Sequence, residues 1–226
     1  MDNRKKLLAA QRWVIKVGSS LLTDHGAAIN GNMIKSLAGQ LSYLKIHGKE
    51  VVLVSSGAVA AGIVKLGLHK RPSVLHELQA AAAVGQSDLI RVYEEAFSEM
   101  GLKIAQVLLG HDDIAARDRY LNARGTLNTL LALGVIPLVN ENDTVATEEI
   151  RFGDNDTLAA LVANLVDADA LLLLTDQEGL MSEDPRYSKS ASLIEACDVF
   201  SSDLDEIAKD GGGFGRGGMK SKLSAA

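Results

Sequence analysis

A handful of small, polar clusters hold the residue types that could grip and move a charged group. Lys16 is a lone cation inside the apolar run 13–17, and Gly18-Ser19-Ser20 follows it. Ser55-Ser56-Gly57 comes directly after the run 51–54. Asn140-Glu141-Asn142-Asp143 comes after 135–139, and Thr175-Asp176 after 170–174. Asp154-Asn155-Asp156 adds two carboxylates around an amide, and the glycine-rich stretch 211–218 runs into Met219-Lys220-Ser221-Lys222. The chemistry these types allow is anion handling. Glycine amides approach a phosphate closely, lysines neutralise it, and carboxylates orient the lysines or hold magnesium.

Each cluster also has a plainer reading. Lys16 could be an edge-strand charge that deters aggregation. Asp154 and Asp156 could serve only as helix caps. The glycine stretch could be a flexible linker. What favours a shared cleft is recurrence, because four separate apolar runs end in small polar residues. In open parallel sheets, ligands bind outside the carboxyl ends of the strands.

Two familiar motifs fail on context. Gly213-Phe214-Gly215-Arg216-Gly217-Gly218 matches G-x-G-x-x-G, but the segment before it, 201–210, reads as helical rather than as a strand. A dinucleotide fingerprint needs that strand. Met219 separates Gly218 from Lys220, so the Walker pattern is also missed. The histidines His25, His47, His69, His76 and His111 show no metal-ligand or triad spacing.

Positioning these clusters requires alternating elements. The runs 13–17, 51–54, 104–109, 135–139 and 170–174 are apolar on successive residues, as strands covered on both faces are. Helical patterns over 33–47, 75–100, 121–133 and 154–166 separate them, the first three each ending at a glycine. Strand–helix alternation predicts an α/β domain with a mostly parallel sheet and helices on both faces. The stretch 144–153 reads as a small hairpin and 177–192 as a loop.

The 226 residues suffice for a substantial core. Hydrophobic residues make up 47% and charged residues 23%, ordinary values for a globular chain. A net charge of −6 argues against nucleic-acid or anionic-membrane partners. A single cysteine, Cys197, excludes an internal disulfide and points to a reducing compartment. With no membrane-length apolar run and no signal-peptide core, the expected location is the cytoplasm.

Taken in order, Lys16-Val-Gly-Ser-Ser, Ser55-Ser-Gly-Ala-Val-Ala-Ala-Gly62, Asn140-Glu-Asn-Asp143, Gly153-Asp-Asn-Asp156, Leu174-Thr-Asp176 and Gly217-Gly-Met-Lys-Ser-Lys222 closely resemble the glutamate 5-kinases of the amino-acid kinase family. Ala80-Ala-Ala-Ala-Val-Gly-Gln86 and Leu121-Asn-Ala-Arg124 match as well. The resemblance runs from about residue 12 to the last residue. It implies a three-layer αβα sandwich and transfer of the ATP γ-phosphoryl group, with Mg2+, to the side-chain carboxylate of L-glutamate. The product would be L-glutamyl 5-phosphate, at the first step of proline biosynthesis.

The resemblance also implies roles. Lys16 would contact the phosphates, Lys222 would sit on the nucleotide side, and Asp156 would hold both lysines. Ser56, Asp143 and Asn155 would bind glutamate. Thr175 and Asp176 would form a nucleotide-binding pair, with Arg216, Gly217, Gly218, Met219, Lys220, Ser221 and Lys222 as the nucleotide loop. Relatives assemble as dimers or tetramers, and many are inhibited by proline. Two departures are visible. Arg216 stands where many relatives have threonine. The chain also stops at Ala226, where the family domain continues through a further helix and strand. The expectation is a kinase domain over 1–226, truncated on its nucleotide side and without a PUA domain. N-acetylglutamate kinase, aspartokinase and UMP kinase are the rivals within the fold, and a catalytically impaired glutamate-binding fragment is the rival outside catalysis. A nicotinamide-dependent oxidoreductase would rest only on the misplaced glycine motif.

Overall fold

All five apolar runs form strands of one parallel sheet in the computed structural model, which describes residues 3–23, 28–146, 155–185, 187–198, 204 and 219–226. They are β1 (Arg12–Val17), β2 (Glu50–Val54), β3 (Ile104–Leu109), β4 (Ile136–Glu141) and β5 (Ala170–Leu174), in the spatial order β3-β4-β2-β1-β5. Lys16 pairs in register with Val54 on one side and Leu173 on the other, so it lies in an interior strand. The edge-strand reading of this lysine is therefore excluded. The fourth strand runs on to Glu141, which puts Asn140 inside the sheet rather than beyond it.

The helices are α1 (Asn3–Ala9), α2 (Ser19–Leu22), α3 (Gly31–Ile46), α4 (Ala58–Lys65), α5 (Leu75–Glu99), α6 (His111–Ala115), α7 (Arg117–Ala132), α8 (Asn155–Leu165) and α9 (Met219–Ala225). The periodicity predicts α3, α5 and α8 to within two residues at each end. The α7 helix begins earlier than its apolar pattern, in the polar turn around Arg117. The α4 helix has no signal in the pattern, because Ala58-Val59-Ala60-Ala61-Gly62 reads equally as a tight apolar run. The loop expected over 177–192 is irregular apart from an antiparallel bridge between Met181 and Leu193. Residues 147–153 of the hairpin predicted over 144–153 lie outside those described, as do, Leu204 apart, the residues of the helical reading over 201–210.

Strand alternation sorts the side chains between two layers. Ile15, Val17, Val51, Leu53 and Leu138 pack against Leu41 of α3 and Leu89 and Phe97 of α5. Val14, Val52, Val54 and Val139 pack on the other face against Leu127 and Leu131 of α7 and Leu158 and Val162 of α8. This is the expected αβα sandwich. The chain steps from β1 through β2 to β3 along the α3/α5 face, then returns through β4 to β5 along the α7/α8 face. The connections leaving β2 and β4 therefore diverge to opposite faces. Such divergence opens a crevice at the carboxyl ends of the two strands.

One helix crossing fixes the geometry beside that crevice. A methyl group on Gly85 of α5 would lie 1.9 Å from the Ala58 carbonyl oxygen and 2.3 Å from the Gly62 nitrogen of α4. One on Gly62 would lie 1.7 Å from the Ala81 carbonyl oxygen. The two backbones touch, and only glycine permits that approach. At the opposite end of the sheet, the Asp169 carboxylate accepts the backbone N–H groups of Gln11 and Arg12, each at 2.8 Å. Arg12 in turn donates to Glu50 at 2.7 Å and Asn128 at 3.1 Å, binding β1, β2 and α7.

Two predictions follow from this packing. Gly85→Ala should destabilise the fold by about 1–3 kcal/mol by overpacking, seen as a lower urea midpoint with an unchanged slope. Gly125→Ala in α7, whose added methyl meets nothing within 4 Å, should be neutral or stabilising by up to about 1 kcal/mol. The backbone N–H bonds from Arg12 and Gln11 hold the Asp169 carboxyl below its ordinary value. Its folded pKa is thus depressed, so its contribution is complete above the ordinary carboxylate value and fades as pH falls through the lower one. Asp169→Asn should flatten the acid limb of a stability-against-pH curve. An unchanged acid limb would remove this capping role.

Candidate functional site

The crevice is lined by strand ends whose polar residues face different layers. Lys16 shares its face of β1 with Val14 and reaches α8, where its Nζ lies 2.6 Å from Asp156 Oδ1. The two side chains are only 7% and 1% exposed. Lys222 of α9 approaches the other oxygen, with Nζ 3.1 Å from Asp156 Oδ2, and Ser221 Oγ lies 3.3 Å from that same oxygen. One buried carboxylate thus draws together two cations whose positions differ by more than two hundred residues. It sits in the first turn of α8, where the unpaired amides of a helix N-terminus favour negative charge.

The neighbouring residue turns the other way, since successive helical side chains project about 100° apart. Asn155 is buried, and its Nδ2 lies 2.6 Å from the Ser55 carbonyl oxygen, 3.1 Å from Ser56 Oγ and 2.8 Å from Asn140 Oδ1. The first turn of α8 therefore serves two compartments. Asp156 faces the lysines at β1, and Asn155 ties the end of β2 to the end of β4.

Local sequence explains the β2 end. Gly57 takes a φ of 97°, a left-handed conformation that lets the chain turn from β2 into α4 directly after Ser56. Ser55 is fully buried, with Oγ 3.2 Å from the Tyr93 hydroxyl of α5. Burial pushes the Tyr93 phenol far above its ordinary value, only partly offset by the Ser55 hydrogen bond, so it stays neutral. At the β4 end, Asn142 N–H donates to the Leu109 carbonyl at 3.1 Å, and Gln79 of α5 donates to the Ala146 carbonyl at 3.2 Å. These bonds hold the turn that carries half-buried Asp143 beside β3 and α5.

Among the predicted residues, Lys16, Lys222, Ser221 and Asp156 meet at one point, and Ser56 and Asn155 meet at the next. Asp143 lies in the turn after β4. Thr175 and Asp176 follow β5, with Thr175 Oγ1 donating to Asp176 Oδ1 at 3.1 Å. Met219 and Lys220 open α9. Arg216, Gly217, Gly218 and Asp154 lie outside the described residues. Three residues joined to the site carry no assignment in the sequence reading: Asn140, Gln86 and Tyr93. Asn140 Nδ2 donates to Gln86 Oε1 at 2.7 Å. The available signal was a polar residue, Gln86, on the same helical stripe as buried Ala82 and Leu89.

A model of the amino acid kinase family matches residues 11–226, nearly the whole chain. The chain belongs to the amino acid kinase family. Within that family it is 56% identical over 226 residues to a glutamate 5-kinase of Saccharophagus degradans, covering all of this chain and 61% of the relative. Against a glutamate 5-kinase of Thioalkalivibrio sulfidiphilus the identity is 57% over 226 residues, covering 60% of the relative. Against one of Pseudomonas syringae pv. tomato it is 55% over 224 residues, covering 60%. The chain thus spans about three fifths of the length of the curated relatives it matches. A solved isopentenyl phosphate kinase of T. acidophilum, described as a product complex, superposes with a TM-score of 0.60 at 19% identity. It covers 95% of this chain and 86% of that one, and the likeness is one of fold.

The buried ion pair of this family member makes a stability prediction. Asp156→Asn leaves Lys16 buried without a carboxylate and should destabilise the fold by about 3–5 kcal/mol. The double variant Lys16→Met/Asp156→Leu should recover most of that loss. Urea denaturation at neutral pH measures both, and equal losses in the two variants would show that the pair does not govern stability.

Proposed function

We propose that this chain is the catalytic module of an ATP-dependent glutamate 5-kinase, transferring the γ-phosphoryl group to the side-chain carboxylate of L-glutamate. The observation that carries the reading is the shared carboxylate, Asp156, joining Lys16 and Lys222 next to the Asn155–Ser56 cluster. Two cations beside an amide and hydroxyl cluster suit a polyphosphate beside a small carboxylic acid. The named relatives support the same choice over N-acetylglutamate kinase and aspartokinase.

The residues fit a magnesium nucleotide. Lysines that converge at strand ends can take phosphate oxygens. Mg2+ needs few protein ligands, because it keeps several waters and is bound largely through phosphates. Among the described residues, no group of three or more His, Cys, Asp and Glu forms a cage. When bound, the metal ion would neutralise phosphate charge. In this reading Lys16 and Lys222 contact the phosphates, and Asp156 fixes their distance. Thr175 and Asp176 line the nucleotide side with the loop Arg216, Gly217, Gly218, Met219, Lys220, Ser221 and Lys222. Ser56, Asp143 and Asn155 hold glutamate.

The chemistry then needs little proton traffic. A side-chain carboxylate is already ionised at neutral pH and attacks the γ-phosphorus directly. The bond from that phosphorus to the β-bridging oxygen breaks, and ADP leaves. Negative charge meets negative charge, so catalysis rests on positioning and neutralisation. We read residues 1–226 as one kinase domain acting in the cytoplasm as a dimer or tetramer, with proline as a candidate inhibitor. No nucleic-acid or membrane partner enters the reading. No helix among the described residues is long and apolar enough to cross a membrane.

Hydroxylamine trapping of the acyl phosphate tests the reaction. With ATP and Mg2+, hydroxamate should form from L-glutamate and not from aspartate or N-acetylglutamate. Product from another acid instead would displace the substrate assignment. Lys16→Ala should lower kcat by at least about a hundredfold with a much smaller change in glutamate KM, as for a contact that strengthens in the transition state. Equal changes in both constants would assign Lys16 to substrate binding.

A further inference from the structure

Gln86 occupies a constrained position for a residue outside the assigned site. It directly follows Gly85, where the α5 backbone rests on that of α4. The α4 helix itself begins two residues after Ser56. The crossing therefore fixes Gln86 relative to the β2 end. From there Gln86 Oε1 accepts from Asn140 Nδ2 at 2.7 Å.

The direction of the remaining bonds is set by the backbone at two points. The Glu141 N–H can only donate, and it lies 2.9 Å from Asn140 Oδ1. The Ser55 carbonyl can only accept, and it lies 2.6 Å from Asn155 Nδ2. Each amide group accordingly has one permitted orientation. Asn155 donates to Asn140 at 2.8 Å, and Asn140 donates to Gln86. Asn140 is 2% exposed, so water cannot readily replace Gln86 as the acceptor. At the other end, Ser56 Oγ lies 3.1 Å from Asn155 Nδ2 and shares, in a three-centre bond, one of the two amide hydrogens that Ser55 and Asn140 also accept. A hydroxyl oxygen that accepts from an amide keeps its own proton available to donate elsewhere.

We infer that Gln86 is a positioning residue which, through Asn140 and Asn155, keeps the Ser56 hydroxyl directed as a donor toward the carboxylic acid substrate. This rests on the glutamate reading of the site for its ligand, although the relay itself stands on the bonds above. Gln86 touches no substrate in this account. Its effect reaches the acceptor pocket and leaves the lysine–Asp156 compartment alone, because the two are served by different residues of the first turn of α8.

The test uses the full chain and three measurements. Gln86→Leu should raise KM for glutamate about tenfold, the scale of one buried polar group losing its partner, with KM for ATP and kcat each changing less than about twofold. In a Ser56→Ala background the same substitution should change glutamate KM less than about twofold, since coupled residues are not additive. Side-chain amide protons of Asn140 and Asn155 should exchange slowly in the unmodified protein and fast in Gln86→Leu. Gln86→Glu, which keeps an acceptor oxygen, should restore slow exchange. Should Gln86→Leu not fold, Gln86→Met carries the same comparisons. Additive effects, a parallel rise in both KM values, or exchange rates untouched by the substitution would each overturn the inference. The exchange measurement needs no turnover. Hydroxamate from another acid in place of glutamate would therefore overturn the substrate reading, while the amides would still decide the relay.

Discussion

A charge removed from water must find its opposite nearby, and Asp156 meets that requirement with two. Its partners come from β1 and α9, near the two ends of the chain, while it belongs to α8. The pair cannot form until β1 lies inside the sheet, α8 covers the α7/α8 face and α9 packs beside α8. Breaking it would leave a buried cation or anion in a medium that solvates neither well. The ion pairs therefore link the completed tertiary structure to the placement of the two lysines.

The same turn of α8 explains why one site has two compartments. Adjacent residues on a helix point in different directions, and the sheet offers different neighbours in each. Toward β1 there are charges, and Asp156 organises cations around a position suited to phosphate. Toward β2 and β4 there are amides, a hydroxyl and a backbone carbonyl, and Asn155 organises neutral donors around a position suited to a carboxylate. In the proposed reaction, joining the two through one turn would fix the distance between donor and acceptor substrates, on which a transfer dominated by positioning depends.

The helix pair α4 and α5 contributes through contact rather than chemistry. Gly62 and Gly85 bring two backbones together, and this holds Ser56, two residues before α4, in register with Gln86 on α5. The alanine- and glycine-rich stretches that look featureless in a hydropathy reading are thus the means by which the Asn155–Ser56 compartment keeps its shape. Small residues are needed there because any Cβ at either glycine would collide with a carbonyl or amide of the facing helix.

The sequence by itself determined the strands, most of the helices and the position of the crevice at the strand ends. Successive apolar residues mark interior parallel strands, and polar clusters directly after them mark the carboxyl ends where such sheets bind ligands. Ser56 was legible for that reason and Lys16 as a lone cation near the end of an apolar run, whereas Asn155 and Asp156 stood out only as the polar opening of a helical pattern and drew their roles from the resemblance. Only the tertiary structure decided which of them meet. That Asp156 takes both lysines, that Asn155 joins two strand ends, and that Gln86 reaches Asn140 are facts of strand order and helix crossing. They depend on residues far apart in the chain. A one-dimensional pattern records which face a residue presents, whereas pairing depends on what the fold places opposite that face.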